Sequence, residues 1–176
     1  MRHGGDLLSY EKHYDGQLID FSSNINPMGI PKGLDKILID NLDNLEVYPD
    51  IKYRKLKTSI SKYLGCEDDN VLVGNGSVDI IDSFTKMAKR ILIMTPAFSE
   101  YKDRALVHEK EVVEIKYKED FTIDILKMES LIEKDDLLIL GNPNNPTGLR
   151  IEEDTLIEIY KIIQSKGGNL LLDEAF

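Results

Sequence analysis

The sequence predicts an α/β fold: a mostly parallel sheet with crossover helices, preceded by an irregular N-terminal arm with helices of its own. Three observations carry this. Short apolar runs lack polar alternation, as expected of strands covered on both faces. Stretches of helical period separate them. Turns rich in Gly, Pro and Asn follow several of the runs.

The elements follow in order. Residues 1–30 are rich in Gly, Asn, Ser and Pro, and two prolines within FSSNINPMGIP (Phe21 to Pro31) forbid a regular helix. From Pro31 to Asn44, Leu34, Ile37, Leu38, Ile39 and Leu42 fall at helical spacing, with the proline near the start. A second helix fits Tyr53 to Leu64, ended by Gly65. Strands are then expected at Val71 to Gly74, Ile91 to Met94, Glu111 to Tyr117, Leu137 to Asn142 and Asn169 to Phe176. Helices fit between them at Ser77 to Lys89, Ser99 to Val107, Ile123 to Glu133 and Glu152 to Lys166.

Composition narrows the function. A net charge of −10 repels nucleic acid and anionic membrane surfaces, so an anionic ligand must be held by local groups. The single cysteine, Cys66, forms no internal disulfide, and no Cys/His cluster points to a metal. Neither a signal-peptide h-region nor a membrane-length apolar run is present, which implies a cytoplasmic protein.

Ligands of open parallel sheets lie at the carboxyl ends of the strands. GNGSVD (Gly74 to Asp79) there opens a helix whose free N–H groups suit a phosphate, although a turn with Ser77 as N-cap needs no ligand. TPAFSEY (Thr95 to Tyr101) offers Phe98 or Tyr101 to stack on a flat ring, or simply to fill core. NPNNPTG (Asn142 to Gly148) is a rigid polar loop able to aim an amide at a ring substituent. LLLDEAF ends a strand in Asp173 and Glu174, and a carboxylate buried there calls for a cationic partner such as a protonated ring nitrogen. Together these are what a protein offers to pyridoxal phosphate.

The NPTG loop followed by D-E-A-aromatic, in that order, resembles the class I/II aminotransferases of fold type I over the whole chain. The resemblance implies pyridoxal phosphate as cofactor, with backbone groups of Gly76, Ser77 and Val78 on its phosphate and Phe98 stacked on its ring. Asn145 would bond the 3′ oxygen and Asp173 the pyridine nitrogen. Tyr48, in VYPD, resembles the family's tyrosine that reaches the neighbouring subunit's cofactor, implying a homodimer with shared sites. Residues 1–48 would then be arm and small-domain segment, and 49–176 the first part of the cofactor-binding large domain.

Two subgroups of that family compete. HGGD (His3 to Asp6), DFSSNINPMG (Asp20 to Gly29) and Phe176 in place of tyrosine look most like the threonine-phosphate decarboxylases of cobalamin biosynthesis; the sibling group is the histidinol-phosphate aminotransferases. Either acts on a small phosphorylated amino compound. His3, Ser23 and Asn24 would face the substrate phosphate and Asn26 its carboxylate, while His13 and His108 read as surface residues.

The family's cofactor-linking lysine and its arginines lie downstream of the Asp173 strand, so this stretch is expected to be inactive alone, and a non-catalytic phosphate- or partner-binding module is the alternative. SFTK (Ser83 to Lys86) imitates the lysine motif but falls too early, inside the helix after the phosphate turn, to supply it.

Overall fold

The computed structural model describes residues 4–13, 16 and 18–176. The chain forms two compact units, Met1–Arg54 and Lys55–Phe176.

In the N-terminal unit the backbone is irregular except for short helical pieces. Helix α1 covers Leu34–Asp40, three residues later than Pro31, because the left-handed Gly33 stands at its N-cap. It does not run on to Asn44: the Asn41 amide folds back to the Ile37 carbonyl at 2.8 Å, and a separate 3-10 turn follows at Leu42–Glu46. Ile37, Leu38 and Ile39 are all exposed. The Gly5 N–H donates to Ser22 Oγ at 2.9 Å, which ties the HGGD segment to the DFSSN run. Asp20 gathers that run by accepting from the Ser22 and Ser23 hydroxyls.

Helix α2 occupies Arg54–Leu64, and the Asp50 carboxylate accepts the Arg54 N–H at its start. Beyond it come helices α3 (Ser77–Met87), α4 (Ser99–Val107), α5 (Ile125–Leu131) and α6 (Glu153–Lys166). Strands β1 (Arg90–Thr95), β2 (Glu111–Lys116), β3 (Leu137–Gly141) and β4 (Asn169–Asp173) form one parallel sheet in the order β2-β1-β3-β4.

Both faces of that sheet are covered, which is why its central strands read as unbroken apolar runs. Leu92 and Met94 of β1, with Leu138 and Leu140 of β3, pack with Met128 of α5 and with Ile159 and Ile163 of α6. The alternate residues Ile91, Ile93, Leu137 and Ile139 pack with Ile81 of α3 and with Tyr101 and Ala105 of α4.

One expected strand is absent. Val71 is extended and buried, yet Val71 to Gly74 joins no ladder among the described residues, and a strand exists only where its backbone groups find partners. Among the described residues no helix is long and apolar enough to cross a membrane. His108 is not simply a surface residue: its Nε2 lies 2.9 Å from Asp82 Oδ1, joining α4 to α3.

Candidate functional site

The chain enters the sheet at β1, adds β2 on one side, and returns to place β3 on the other. The reversal puts a crevice between the carboxyl ends of β1 and β3, where such folds bind ligands. A cavity of about 130 Å³ opens there, lined by Ser77, Phe98, Tyr101, Pro143, Asn145, Asp173, Ala175 and Phe176. Four residues singled out from sequence, Ser77, Phe98, Asn145 and Asp173, therefore meet in one place.

Gly76 is the N-cap of α3, with φ 86° and ψ 169°, a conformation that is nearly glycine's alone. Ser77 is the first helical residue and not the cap expected from sequence, and no side chain caps this helix. The N–H groups of Gly76, Ser77 and Val78 thus have no acceptor among the described residues. Asp79 pins the turn from the helix side, its Oδ2 accepting the Asn75 N–H at 2.8 Å.

The three asparagines of the loop after β3 divide their work. Asn142 continues the β3–β4 pairing, its N–H donating to the Asp173 carbonyl at 2.8 Å, while its Oδ1 accepts the Ile151 N–H at 2.8 Å. Asn144 is buried and donates Nδ2 to the Pro96 carbonyl at 3.2 Å and to Thr147 Oγ1 at 3.0 Å, tying this loop to the one after β1. Asn145 alone of the three lines the cavity, and its amide has no partner among the described residues.

Asp173 departs from the expectation of a buried carboxylate awaiting a cation. It is half-buried, and Tyr101 donates its hydroxyl to Oδ2 at 2.8 Å across 72 positions of sequence. Burial first, then the bond to Asp173, holds the Tyr101 phenol well above its ordinary pKa, so it remains a neutral donor. Phe98 sets its ring edge-to-face with Tyr101, centroids 5.7 Å apart and planes at 89°. Sequence offered Tyr101 as a stacking ring or as core, and its 2% exposure makes it core; the hydroxyl's role was not foreseen, although a distance of three residues from Phe98 signalled that both face one place.

Ser23, Asn24, Asn26 and Tyr48 belong to the N-terminal unit, where Ser23 is half-buried and Tyr48 is 93% exposed. His3 lies outside the described residues. Lys86 is exposed in the last turn of α3, the end away from Gly76, and does not line the cavity. A larger cavity of about 360 Å³, bordered by Tyr117, Phe121, Arg150 and Glu158, takes Asn144 and Thr147 from the loop after β3 but none of the residues expected to hold the cofactor. We place the site in the smaller one because the strand-end residues converge on it.

Known proteins align with this arrangement. Threonine-phosphate decarboxylase of Salmonella typhimurium is 38% identical over 91% of this chain and 45% of its own length. Histidinol-phosphate aminotransferase 1 of Carboxydothermus hydrogenoformans is 32% identical over 97% of this chain and 50% of its own. The crystal structure of the histidinol-phosphate aminotransferase from Clostridium acetobutylicum superposes with a TM-score of 0.84 and 40% identity, covering 90% of this chain and 48% of that one. The chain thus spans about half the length of the relatives it matches. The family profile described as aminotransferase class I and II matches residues 16–176, and the chain belongs to that family.

Proposed function

We propose that this chain is the cofactor-binding portion of a pyridoxal-phosphate enzyme acting on a small phosphorylated amino acid, most like a threonine-phosphate decarboxylase. The observation that carries the reading is the convergence of Ser77, Phe98, Asn145 and Asp173 on one cavity. When bound, pyridoxal phosphate supplies an electron sink for charge developing at the substrate's α-carbon.

The residues present fit that group. The uncapped N–H groups of Gly76, Ser77 and Val78 receive its phosphate at the positive end of α3. Phe98 would stack on its ring. The unpartnered Asn145 amide donates to the 3′ oxygen, and because Phe176 carries no hydroxyl, that bond rests on Asn145. Asp173 would pair with the ring nitrogen and favour its protonated form, which would strengthen the electron sink. In the N-terminal unit, Ser23 and Asn24 bind the substrate phosphate and Asn26 its carboxylate. By the family resemblance His3 is a further candidate for the substrate phosphate, and Tyr48 serves the site of a second copy in a homodimer.

Binding of pyridoxal phosphate to the purified chain, followed by its absorbance, tests the cofactor reading: Asn145→Ala and Asp173→Ala should each weaken binding, and a chain indifferent to both changes would sink it. For the substrate, the complete gene product should release CO₂ from O-phospho-L-threonine without 2-oxoglutarate. The 40% identity to the Clostridium acetobutylicum structure favours a second reading, transamination of histidinol phosphate. That activity would need a keto-acid acceptor, and finding it without decarboxylation would reverse the preference.

A further inference from the structure

The geometry points to Tyr101 as the positioning residue of the ring site, with its hydroxyl fixing the Asp173 carboxylate and its ring bracing Phe98. The inference rests on the cofactor reading above and adds a residue that has no contact with the cofactor in it.

Tyr101 is 2% exposed and sits in the first turn of α4, one turn after Phe98. Its ring packs in the layer with Ile91, Ile93 and Ile139 beneath the crevice, so the position of the hydroxyl is set by the core. From there it reaches Asp173 Oδ2 at 2.8 Å, while Oδ1 takes the Ala175 N–H at 3.2 Å. A carboxylate held at both oxygens has one orientation instead of several.

The route is kept open by Gly141, the last residue of β3. A Cβ there would lie 3.2 Å from Tyr101 Oη, tighter than ordinary contact, and would press on the hydroxyl where it crosses toward Asp173. Phe98 and Asp173 come from different strand ends and share Tyr101 as a common support. A neutral donor suits this role, because it orients the carboxylate and leaves its charge available to a protonated ring nitrogen.

The test separates the hydroxyl from the ring. Tyr101→Phe keeps the edge-to-face partner of Phe98 and removes only the bond to Asp173. Calorimetric binding is measured for pyridoxal phosphate and for its 1-deaza analogue, in which carbon replaces the ring nitrogen. The wild-type chain should prefer the natural cofactor. Tyr101→Phe should lower affinity for it about tenfold, the scale of a hydrogen bond to a charged group, and leave the analogue's affinity unchanged.

In an Asp173→Ala background the same substitution should have no further effect, and Tyr101→His, which retains a donor, should recover part of the preference. Equal weakening of both ligands would mean that Tyr101 acts only through packing and would overturn the inference, as would an undiminished preference in Tyr101→Phe. A wild-type chain that fails to distinguish the two ligands overturns the cofactor reading itself, and this inference with it.

Discussion

Arg90 grips Asp136 with two hydrogen bonds, Nε to Oδ1 at 3.0 Å and Nη2 to Oδ2 at 2.7 Å, at the end of the sheet away from the cavity. The Asp136 side chain is 1% exposed and also accepts the Glu133 N–H at 2.8 Å. Arg90 Nη2 reaches the Leu131 carbonyl as well, so the pair joins the start of β1 to the turn between α5 and β3.

Removing one partner strands the other where water reaches it poorly. Asp136→Ala is expected to lower unfolding free energy by about 3 kcal/mol, read by urea denaturation. Arg90→Met combined with Asp136→Leu should cost less than the two single changes added together. A loss near zero for Asp136→Ala would show that Arg90 finds sufficient solvent or Glu133 instead.

Asp68 links the end of α2 to the turn after it. Its carboxylate accepts from the Ser61 hydroxyl and, at 2.6 Å, from the Thr58 hydroxyl, and these bonds, Ser61's first, hold its pKa below the usual carboxylate value. A depressed folded value means that the contribution is complete above the unfolded pKa of about 3.9 and disappears as pH falls through the lower folded value. Melting temperatures from pH 6 to pH 2 should therefore fall less steeply in Asp68→Asn than in the wild type. Parallel curves would assign the acid loss to other groups.

Tyr101 and Tyr117 should titrate late. Burial pushes the Tyr117 phenol up to about 12, and Tyr101 is shifted in the same direction by burial and by Asp173. For a phenol raised in the folded state, stabilisation is full below the unfolded value of about 10 and is lost as pH climbs through the folded one. Tyrosinate absorbance should show two groups ionising only above the ordinary range, in step with alkaline unfolding. Tyr117→Phe should remove one late group and soften the loss of stability between about pH 10 and pH 12.

Gly76→Ala adds a methyl that meets nothing within 4 Å, so its penalty comes from backbone conformation alone. At φ 86° and ψ 169° that penalty is about 1–3 kcal/mol. Chemical denaturation should show it, and binding of inorganic phosphate or pyridoxal phosphate should weaken as the turn relaxes. Unchanged stability would mean that the turn adopts a second conformation at little cost.

The strands were legible where both faces are buried, since Ile91 to Met94 and Leu137 to Leu140 have no solvent side to impose alternation. Val71 to Gly74 carried the same signal without a partner strand, and a composition rule cannot see that a ladder is missing. The site was legible as a set of strand ends, but the labour of individual side chains was not. Only the fold shows that Asn142 and Asn144 are occupied in holding the loop, leaving Asn145 for the cavity. Tyr101 reads as a ring in the sequence because its hydroxyl's partner is 72 positions away. His108 reads as solvated because Asp82 lies on a different helix.

All three ladders join parallel strands, so each requires a loop to close around an intervening helix before any strand bond forms. The cavity draws on the ends of β1, β3 and β4, and among the described residues β4 pairs only with β3. The crevice is therefore complete only once β4 has docked, since a chain that has formed only β1, β2 and β3 holds neither the Asp173 carboxylate in place nor the bond that orients it. Ligand capture thus waits on this one strand, and the rate at which a refolding chain acquires ligand affinity reports the docking of Asn169–Asp173.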